Sequence, residues 1–314
     1  MAPKYPEIAL LPRRPEILCV KEVVATEKIH GSNFRVHFPA GMSSLADVGY
    51  GSRDVEYDPL SDVKFPLPHA LTWFKTRPEL LMRMWETLKS YGFPEATVFG
   101  EAFGPGIDVK GVRYSEGQEM LFRAFDIMIG ENFLTYDLFC EVADKMEIPR
   151  VPEVWRGSPT VENFEALLNQ PSGVAMAEGI QDADNHAEGV VLRSNPLLRN
   201  VFGEWLIIKY KRAKFSEVAH APNVKKERGT SPADDFAATY VTEGRLQNAL
   251  GRLKDRGVAL TGTMKDMPTL IVEIIADLHK EAETDWPAGV ADKQMQGCVS
   301  RVLGPILRAF LEPS

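Results

Sequence analysis

The feature that most constrains this chain is a change of hydrophobic period about two-thirds of the way along its 314 residues. Up to about residue 215, short β-branched and aromatic runs recur between turn residues: EILCVKEVVATEKI, NFRVHF, ATVFGEAFG, MLFRAFDIMI, GVVLRS and EWLIIKYKR. Runs of this kind and length predict strands. Helical spacing appears between them. In 78–91, Pro78 suits the first helical turn, and Leu80, Leu81, Met84, Trp85 and Leu88 recur at threes and fours before Gly92. Shorter patterns of the same kind fall at 136–147 and 161–169. The elements do not alternate regularly as βαβ, which predicts an α+β fold with largely antiparallel sheets. Past the polar stretch HAPNVKKERGTSPADD the spacing is helical to the end, over 234–256, 268–283 and 288–312, with a kink or break expected at Gly304-Pro305. Two domains are expected, one over 1–229 and a small all-helical one over 230–314.

Composition removes whole classes of function. With 44% hydrophobic and 25% charged residues the chain has the material for a sizeable core and lacks the signature of disorder. A formal net charge of −8 excludes a protein that coats nucleic acid by bulk charge and leaves room for a local basic groove. Cys19, Cys140 and Cys298 lie far apart without CxxC spacing, against a disulfide framework or thiolate zinc site and in favour of a reducing compartment. The opening MAPKYPEIALLPRRPEIL carries four prolines and scattered charges, unlike a signal-peptide core. No run approaches the roughly 20 apolar residues of a membrane span. A cytoplasmic protein away from membranes is expected.

The segment most informative about chemistry is TEKIHGSNF, residues 26–34. Lys28 follows an apolar strand-like run, and Gly31 three positions on allows a tight turn. A lysine at a strand end within a cleft is driven toward its neutral, nucleophilic form by desolvation and by neighbouring cations. The other reading is a surface lysine beside a β-turn. Four further segments bear on the choice. FGEAFGPG places Glu101 at a strand end flanked by glycines, RAFDI places Phe125 beside Asp126, AEGVVLR places Glu188 at the entry of an apolar strand, and LIIKYKRAKF carries Lys209 and Lys211. Two residues apart on a strand, Lys209 and Lys211 point the same way, a costly pairing of cations unless anions face them; a polyphosphate meets that need. Singly, each has a structural explanation: salt bridge, core aromatic or charged edge strand.

Taken in order, these segments resemble the covalent nucleotidyltransferase superfamily, which includes ATP-dependent DNA and RNA ligases and mRNA capping guanylyltransferases. The six matching pieces are KIHG at 28–31, GSR at 51–53, FGE at 99–101, AFD at 124–126, EGVVLR at 188–193 and KYK at 209–211. The forms EKIHGSNF and IKYKRAKFSE are most similar to the nick-sealing RNA ligases of phage and of the kinetoplastid RNA-editing type. The resemblance spans about residues 20–217.

The resemblance implies a nucleotidyltransferase domain and an ATP-dependent RNA ligase that joins a 3′-OH to a 5′-phosphate through AMP held covalently on Lys28 and then on the RNA 5′ end. It implies that Lys209 and Lys211 neutralise phosphate charge, that Arg53 clamps phosphate or ribose oxygens, with Arg35 a nearby competitor, and that Glu101 accepts from a ribose hydroxyl. It further implies that Phe125 stacks on adenine, that Glu188 holds metal-bound water or the lysine, and that His30 assists attack on ATP. Asn33 is expected to contact the ribose-phosphate region or the RNA end, and Glu27 to position the adenine through its backbone. Mg²⁺ or Mn²⁺ is the implied metal, with Glu188 its candidate ligand. RNA ends, a nicked duplex in particular, are the implied partner of a monomer, with an end-healing kinase or phosphatase a further possible one.

Residues 230–314 show helical periodicity in place of the oligonucleotide-binding barrel of DNA ligases and capping enzymes. Residues 209–228 hold seven basic and two acidic residues, a candidate track for an RNA backbone, while 229–314 hold nine Lys/Arg and twelve Asp/Glu. The helical domain is therefore expected to dock RNA through a limited face. The alternatives are a GTP-dependent guanylyltransferase, an ATP-dependent DNA ligase, a silent nucleic-acid-binding relative, and an unrelated α+β protein.

Overall fold

Val23, Val24 and Ala25 are completely buried, so the run VVATEK forms a strand covered on both faces rather than an edge. The computed structural model describes residues 2–53, 55–57, 68–104, 112–117, 119–212, 231–282 and 285–311. It divides into two units, Met1–Tyr210 and Lys211–Ser314. The expected boundary at 229/230, and with it Lys214, Lys225, Lys226 and Arg228 of the basic track, lies outside the described residues.

The first unit holds two sheets. One has the order β1 (Ala9–Leu10), β11 (Ile207–Lys211), β10 (Gly189–Ser194), β2 (Val23–Lys28), β9 (Glu153–Gly157). The other runs β5 (Glu56–Tyr57), β4 (Gly49–Ser52), β3 (Ser32–Phe38), β6 (Ala96–Phe103), β7 (Leu121–Ile129), β8 (Asn132–Phe133). The antiparallel expectation holds for β2 with β10 and β9 and for β3 with β4 and β6; β1 lies parallel to β11. The helices α1 (Pro68–Lys75), α2 (Pro78–Ser90) and α3 (Tyr136–Met146) cover the outer face of the second sheet, where Phe74, Met84 and Phe139 meet Phe34, Val98 and Phe122. The short helix α4 (Val161–Leu167) covers the first sheet with Phe164 and Leu167 against Ala25, Leu192 and Ile208.

Between the sheets a second apolar cluster holds Tyr5, Phe99, Met128, Phe133 and Ile207. A buried ion pair crosses the same space: Arg193 of β10 donates to Asp126 Oδ2 of β7 at 3.1 Å and to the Leu134 carbonyl at 3.0 Å. Tyr5 Oη donates to the same Asp126 oxygen at 3.2 Å, and Ile127 N donates to Oδ1 at 3.1 Å. Burial raises the Asp126 carboxyl above its ordinary range, while Arg193 acts against the rise.

The second unit is helical, as expected: α6 (Pro232–Tyr240), α7 (Glu243–Asp255), α8 (Met267–Glu281) and α9 (Asp292–Leu311) enclose Phe236, Leu246, Ile274 and Leu303. Two details depart from the sequence reading. The single helix expected over 234–256 is two, because Val241 is extended and Thr242 caps α7, its hydroxyl accepting from Arg245 N at 3.2 Å. The break expected at Gly304-Pro305 does not occur; α9 continues through Pro305, held by buried Leu303 and Leu307 against α6 and α8. At the other end of the chain, residues 15–19 form a 3-10 turn rather than the start of a strand, since Pro15 occupies its first position.

Candidate active site

Lys28 is the last residue of β2, and only Ile29, His30 and Gly31 separate it from β3, so the KIHG segment is the crossing from one sheet to the other. Gly31 matters here for space rather than for the turn expected from sequence. It has no positive φ, and a Cβ would fall 2.3 Å from the Ala102 carbonyl oxygen and 3.0 Å from Phe103 Cβ. Side-chain loss at this point is what lets β3 begin against β6.

Opposite Lys28 in the register is Gly189, the first residue of β10, and Glu188 just before it reaches Lys28: Nζ donates to Glu188 Oε2 at 2.6 Å. Glu188 is 2% exposed. The two residues, 160 apart in sequence, thus meet because antiparallel pairing of β2 and β10 aligns their ends. Along β11, Ile208 and Tyr210 join the outer cluster around Phe164, whereas Ile207 joins the inter-sheet cluster. Alternation gives Lys209 and Lys211 the face of Ile207, and both are buried. The sequence expectation of two cations on one strand face is met.

The second sheet supplies the facing residues. Asn33 of β3 lies directly across from Glu101 of β6, and Glu101 directly across from Arg123 of β7, so the three form a row on one face. The amide oxygen of Asn33 is buried with no hydrogen-bond partner among the described residues. Arg123 is held by Glu178 Oε1 at 2.6 Å and by the Arg150 carbonyl at 3.2 Å. Phe125 occupies a special position. Phe99 pairs with Asp126 and Gly100 with Ala124, which leaves Phe125 as the extra residue of a β-bulge. A bulge breaks the alternation of side chains. Accordingly Phe125 and Asp126 both reach the inter-sheet side, Phe125 packing edge-on against Tyr5 with centroids 4.9 Å apart and Asp126 holding Arg193.

Glu27 is buried, and its carboxylate accepts from Ser172 Oγ at 2.5 Å and from Val174 N at 3.0 Å, at the start of α5 (Gly173–Ala177). Burial raises its carboxyl above the ordinary range and these hydrogen bonds oppose the rise. Its amide donates to the Pro152 carbonyl at 3.2 Å. His30 is buried too, its backbone N–H donating to the Tyr114 hydroxyl at 2.7 Å. Burial keeps the Tyr114 phenol well above its ordinary value, and the charges of Glu27, Glu188 and Glu101 add to that.

The two arginine candidates separate cleanly. Arg35 is fully buried, donates to the carbonyls of Ser52 and Arg53, and lies 3.9 Å from Glu56, so it braces the β3–β4–β5 corner. Gly51 of the GSR segment makes room for it, since a Cβ there would lie 2.9 Å from the guanidinium. Arg53 follows β4 and is exposed, with no ion pair among the described residues.

Sequence reasoning gave no role to Asp126, Arg193, Tyr5, Ser172 or Tyr114. The first two stood inside quoted motifs, where a lone Asp and a lone Arg in apolar strands are themselves a signal of a buried pair. Tyr114 sits in a stretch without periodicity, and nothing local marks it. For a metal, no group of three His, Cys, Asp or Glu side chains gathers among the described residues. A carboxylate such as Glu188 fits a hard divalent ion that keeps most of its ligands as water and phosphate oxygens.

Comparison with known proteins decides the family. Residues 21–211 match the family model for RNA ligase, which spans well over half of the chain. The chain belongs to the RNA ligase family. Among solved structures it is similar to RNA ligase of Naegleria gruberi: an apo mutant form (TM-score 0.47, 17% identity, 67% of this chain and 55% of that chain), the form with PPi (0.46, 17%, 67% and 56%) and a mutant with ATP and Mn (0.48, 17%, 67% and 56%). The chain thus spans a little over half the length of that ligase. No curated protein matches it. The family match begins two residues before β2 and ends with Lys211, so every site residue expected from the sequence falls inside it, while Tyr5 lies before it.

Proposed function

We propose that this RNA ligase family member is an ATP-dependent RNA ligase that works through AMP attached to Lys28. The observation that carries the reading is Lys28 at the sheet crossing with its Nζ 2.6 Å from buried Glu188. In the first step Nζ, having lost a proton, attacks the α-phosphorus of ATP; an N–P bond forms, the bond to the β-phosphate oxygen breaks, and pyrophosphate leaves. Glu188 Oε2, already hydrogen-bonded to Nζ, is placed to hold the amine and receive its proton. Lys209 and Lys211 supply fixed positive charge for the phosphoryl oxygens, which gain negative charge in the transition state. Mg²⁺ or Mn²⁺, met at Glu188, adds further neutralisation of phosphate charge when bound.

The nucleotide's base stacks on Phe125, which the bulge turns toward the inter-sheet space, and Glu101 and Asn33 accept and donate at the ribose and phosphates. Arg53 clamps phosphate oxygens from the rim, and His30 assists attack from within the crossing loop. AMP then passes to a 5′-phosphate on RNA and is displaced by a 3′-OH, most effectively at a nick in a duplex. The helical unit docks the RNA. Its Arg245, Arg252 and Arg256 are engaged by Asp277 and Glu273, and Arg301 by Asp234; among the described residues, the exposed Lys265, Lys293 and Arg308 are candidates to meet phosphates.

Intact-protein mass spectrometry after incubation with ATP or GTP and Mg²⁺ tests the reading. One AMP on the wild type and none on Lys28→Ala is expected; no adduct from either nucleotide on protein shown to be free of AMP refutes it, and a GMP adduct moves the reading to capping chemistry. Truncation after residue 229 is expected to spare the adduct and impair sealing of a nicked RNA duplex.

A further inference from the structure

Tyr114 belongs to no motif, yet it is joined by hydrogen bonds to both sides of Lys28. Its ring is buried and packs edge-on against Phe103 with centroids 5.1 Å apart. Its hydroxyl accepts the N–H of His30, two residues after Lys28, at 2.7 Å. The segment that carries it is clamped in turn: Arg113 N donates to Asn185 Oδ1 at 3.0 Å, and Asn185 Nδ2 donates to the Arg113 carbonyl at 2.6 Å. The Asn185 carbonyl accepts from Ser172 N at 2.9 Å, and Ser172 Oγ donates to Glu27, the residue before Lys28, at 2.5 Å.

These bonds form a circuit that leaves the chain at Glu27 and returns at His30. It passes through Ser172, Asn185, Arg113 and Tyr114, and the residues it encloses are Lys28 and Ile29. Lys28 itself is paired with Gly189 and bonded to Glu188, but the three-residue crossing loop after it has few backbone bonds of its own, and the circuit ties that loop to the residue before Lys28.

Resting on the reading of Lys28 as the nucleophile, we propose that Tyr114 and Asn185 are positioning residues for nucleotidyl transfer: together they tie Glu27 before Lys28 and His30 two residues after it to one frame and so hold Nζ in line for the α-phosphorus. Neither touches the reacting atoms. Displacement of a nucleophile by a fraction of an ångström slows the chemical step without changing how the nucleotide binds.

The test uses the full chain with ATP and Mg²⁺ and measures the rate of AMP transfer to Lys28 by quenched-flow and mass spectrometry. Tyr114→Phe removes one oxygen and keeps the ring; Asn185→Ala removes the clamp, with Asn185→Asp, which keeps the acceptor for Arg113 N, as substitute if the alanine variant does not fold. Each is expected to lower the maximal rate about tenfold, equivalent to about 1.4 kcal/mol, with KM for ATP unchanged within about twofold. Because both act through one circuit, the double variant is expected to be no slower than the slower single. Amide hydrogen exchange in a peptide spanning residues 29–33 is expected to quicken in Tyr114→Phe.

A wild-type maximal rate in Tyr114→Phe, a change confined to KM, multiplied single effects in the double variant, or unaltered exchange at 29–33 each overturns the proposal. Where the wild type carries AMP on Lys28 and Tyr114→Phe matches it, the positioning role alone fails; where the wild type forms no adduct, the functional reading fails and this inference with it.

Discussion

Replacing Arg193 with leucine probes the joint between the sheets. Arg193 and Asp126 are 6% and 1% exposed at their side chains, and their 3.1 Å contact links β10 to β7. Arg193→Leu leaves the Asp126 carboxylate buried with the Tyr5 hydroxyl and the Ile127 amide as its partners among the described residues. Loss of one member of a buried pair costs about 3–5 kcal/mol, on the order of 10 °C in Tm for a unit of this size. The pH dependence has a definite sign. Burial already raises the folded-state value of Asp126 above its unfolded value, and Arg193 opposes that, so its removal raises the value further. A carboxyl raised on folding favours the fold at low pH and loses that contribution as pH rises through the folded value. The deficit of Arg193→Leu is therefore expected to be largest at neutral pH and to shrink as pH falls toward the ordinary carboxylate range. Adding Asp126→Asn should recover part of it at pH 7. Urea unfolding from pH 5 to pH 8 measures this; a deficit under about 1 kcal/mol, or one that grows on acidification, refutes the account of the joint.

Other substitutions test other parts. Gly31→Ala sets a methyl 2.3 Å from the Ala102 carbonyl oxygen, so the crossing loop must shift; AMP transfer to Lys28 is expected to fall at least about tenfold, read by the same mass assay. Arg245→Met removes the buried cation that meets Asp277 and Glu281 and is expected to cost the helical unit about 3–5 kcal/mol by urea unfolding. Pro305→Ala, at an exposed position within α9, restores a backbone donor and is expected to raise stability by about 1–3 kcal/mol, with nucleotide transfer unchanged.

Part of the candidate site was legible because its residues carry their own chemistry. Lys28, Glu188, Lys209 and Lys211 announce themselves by charge placed within apolar runs, and the structure sets Lys28 against Glu188 and buries both strand lysines. The strands that escaped notice, such as β4, β5 and β8, are two to four residues long, too short for an alternation to be detected. Helix α5 is five residues long and is defined by the Ser172 cap and by Glu27, neither of which shows in its periodicity. The helix expected through 241–242 failed because spacing of apolar residues continues across a break that capping, a local matter of one hydroxyl, imposes.

By itself the sequence determined the change from strand to helix, the antiparallel α+β character of the first unit, and the candidates Lys28 and the two lysines sharing one strand face, since period and charge are properties of neighbouring residues. Tertiary structure alone decided the rest. It set Glu188 against Lys28 through the register of β2 and β10, turned Phe125 inward through a bulge, assigned Arg35 to the frame, and closed the circuit from Glu27 through Asn185 and Tyr114 to His30. Each depends on which backbones pair, and in what register, across separations of tens to more than a hundred residues, and a one-residue slip in any of them would turn the same side chains away from the site.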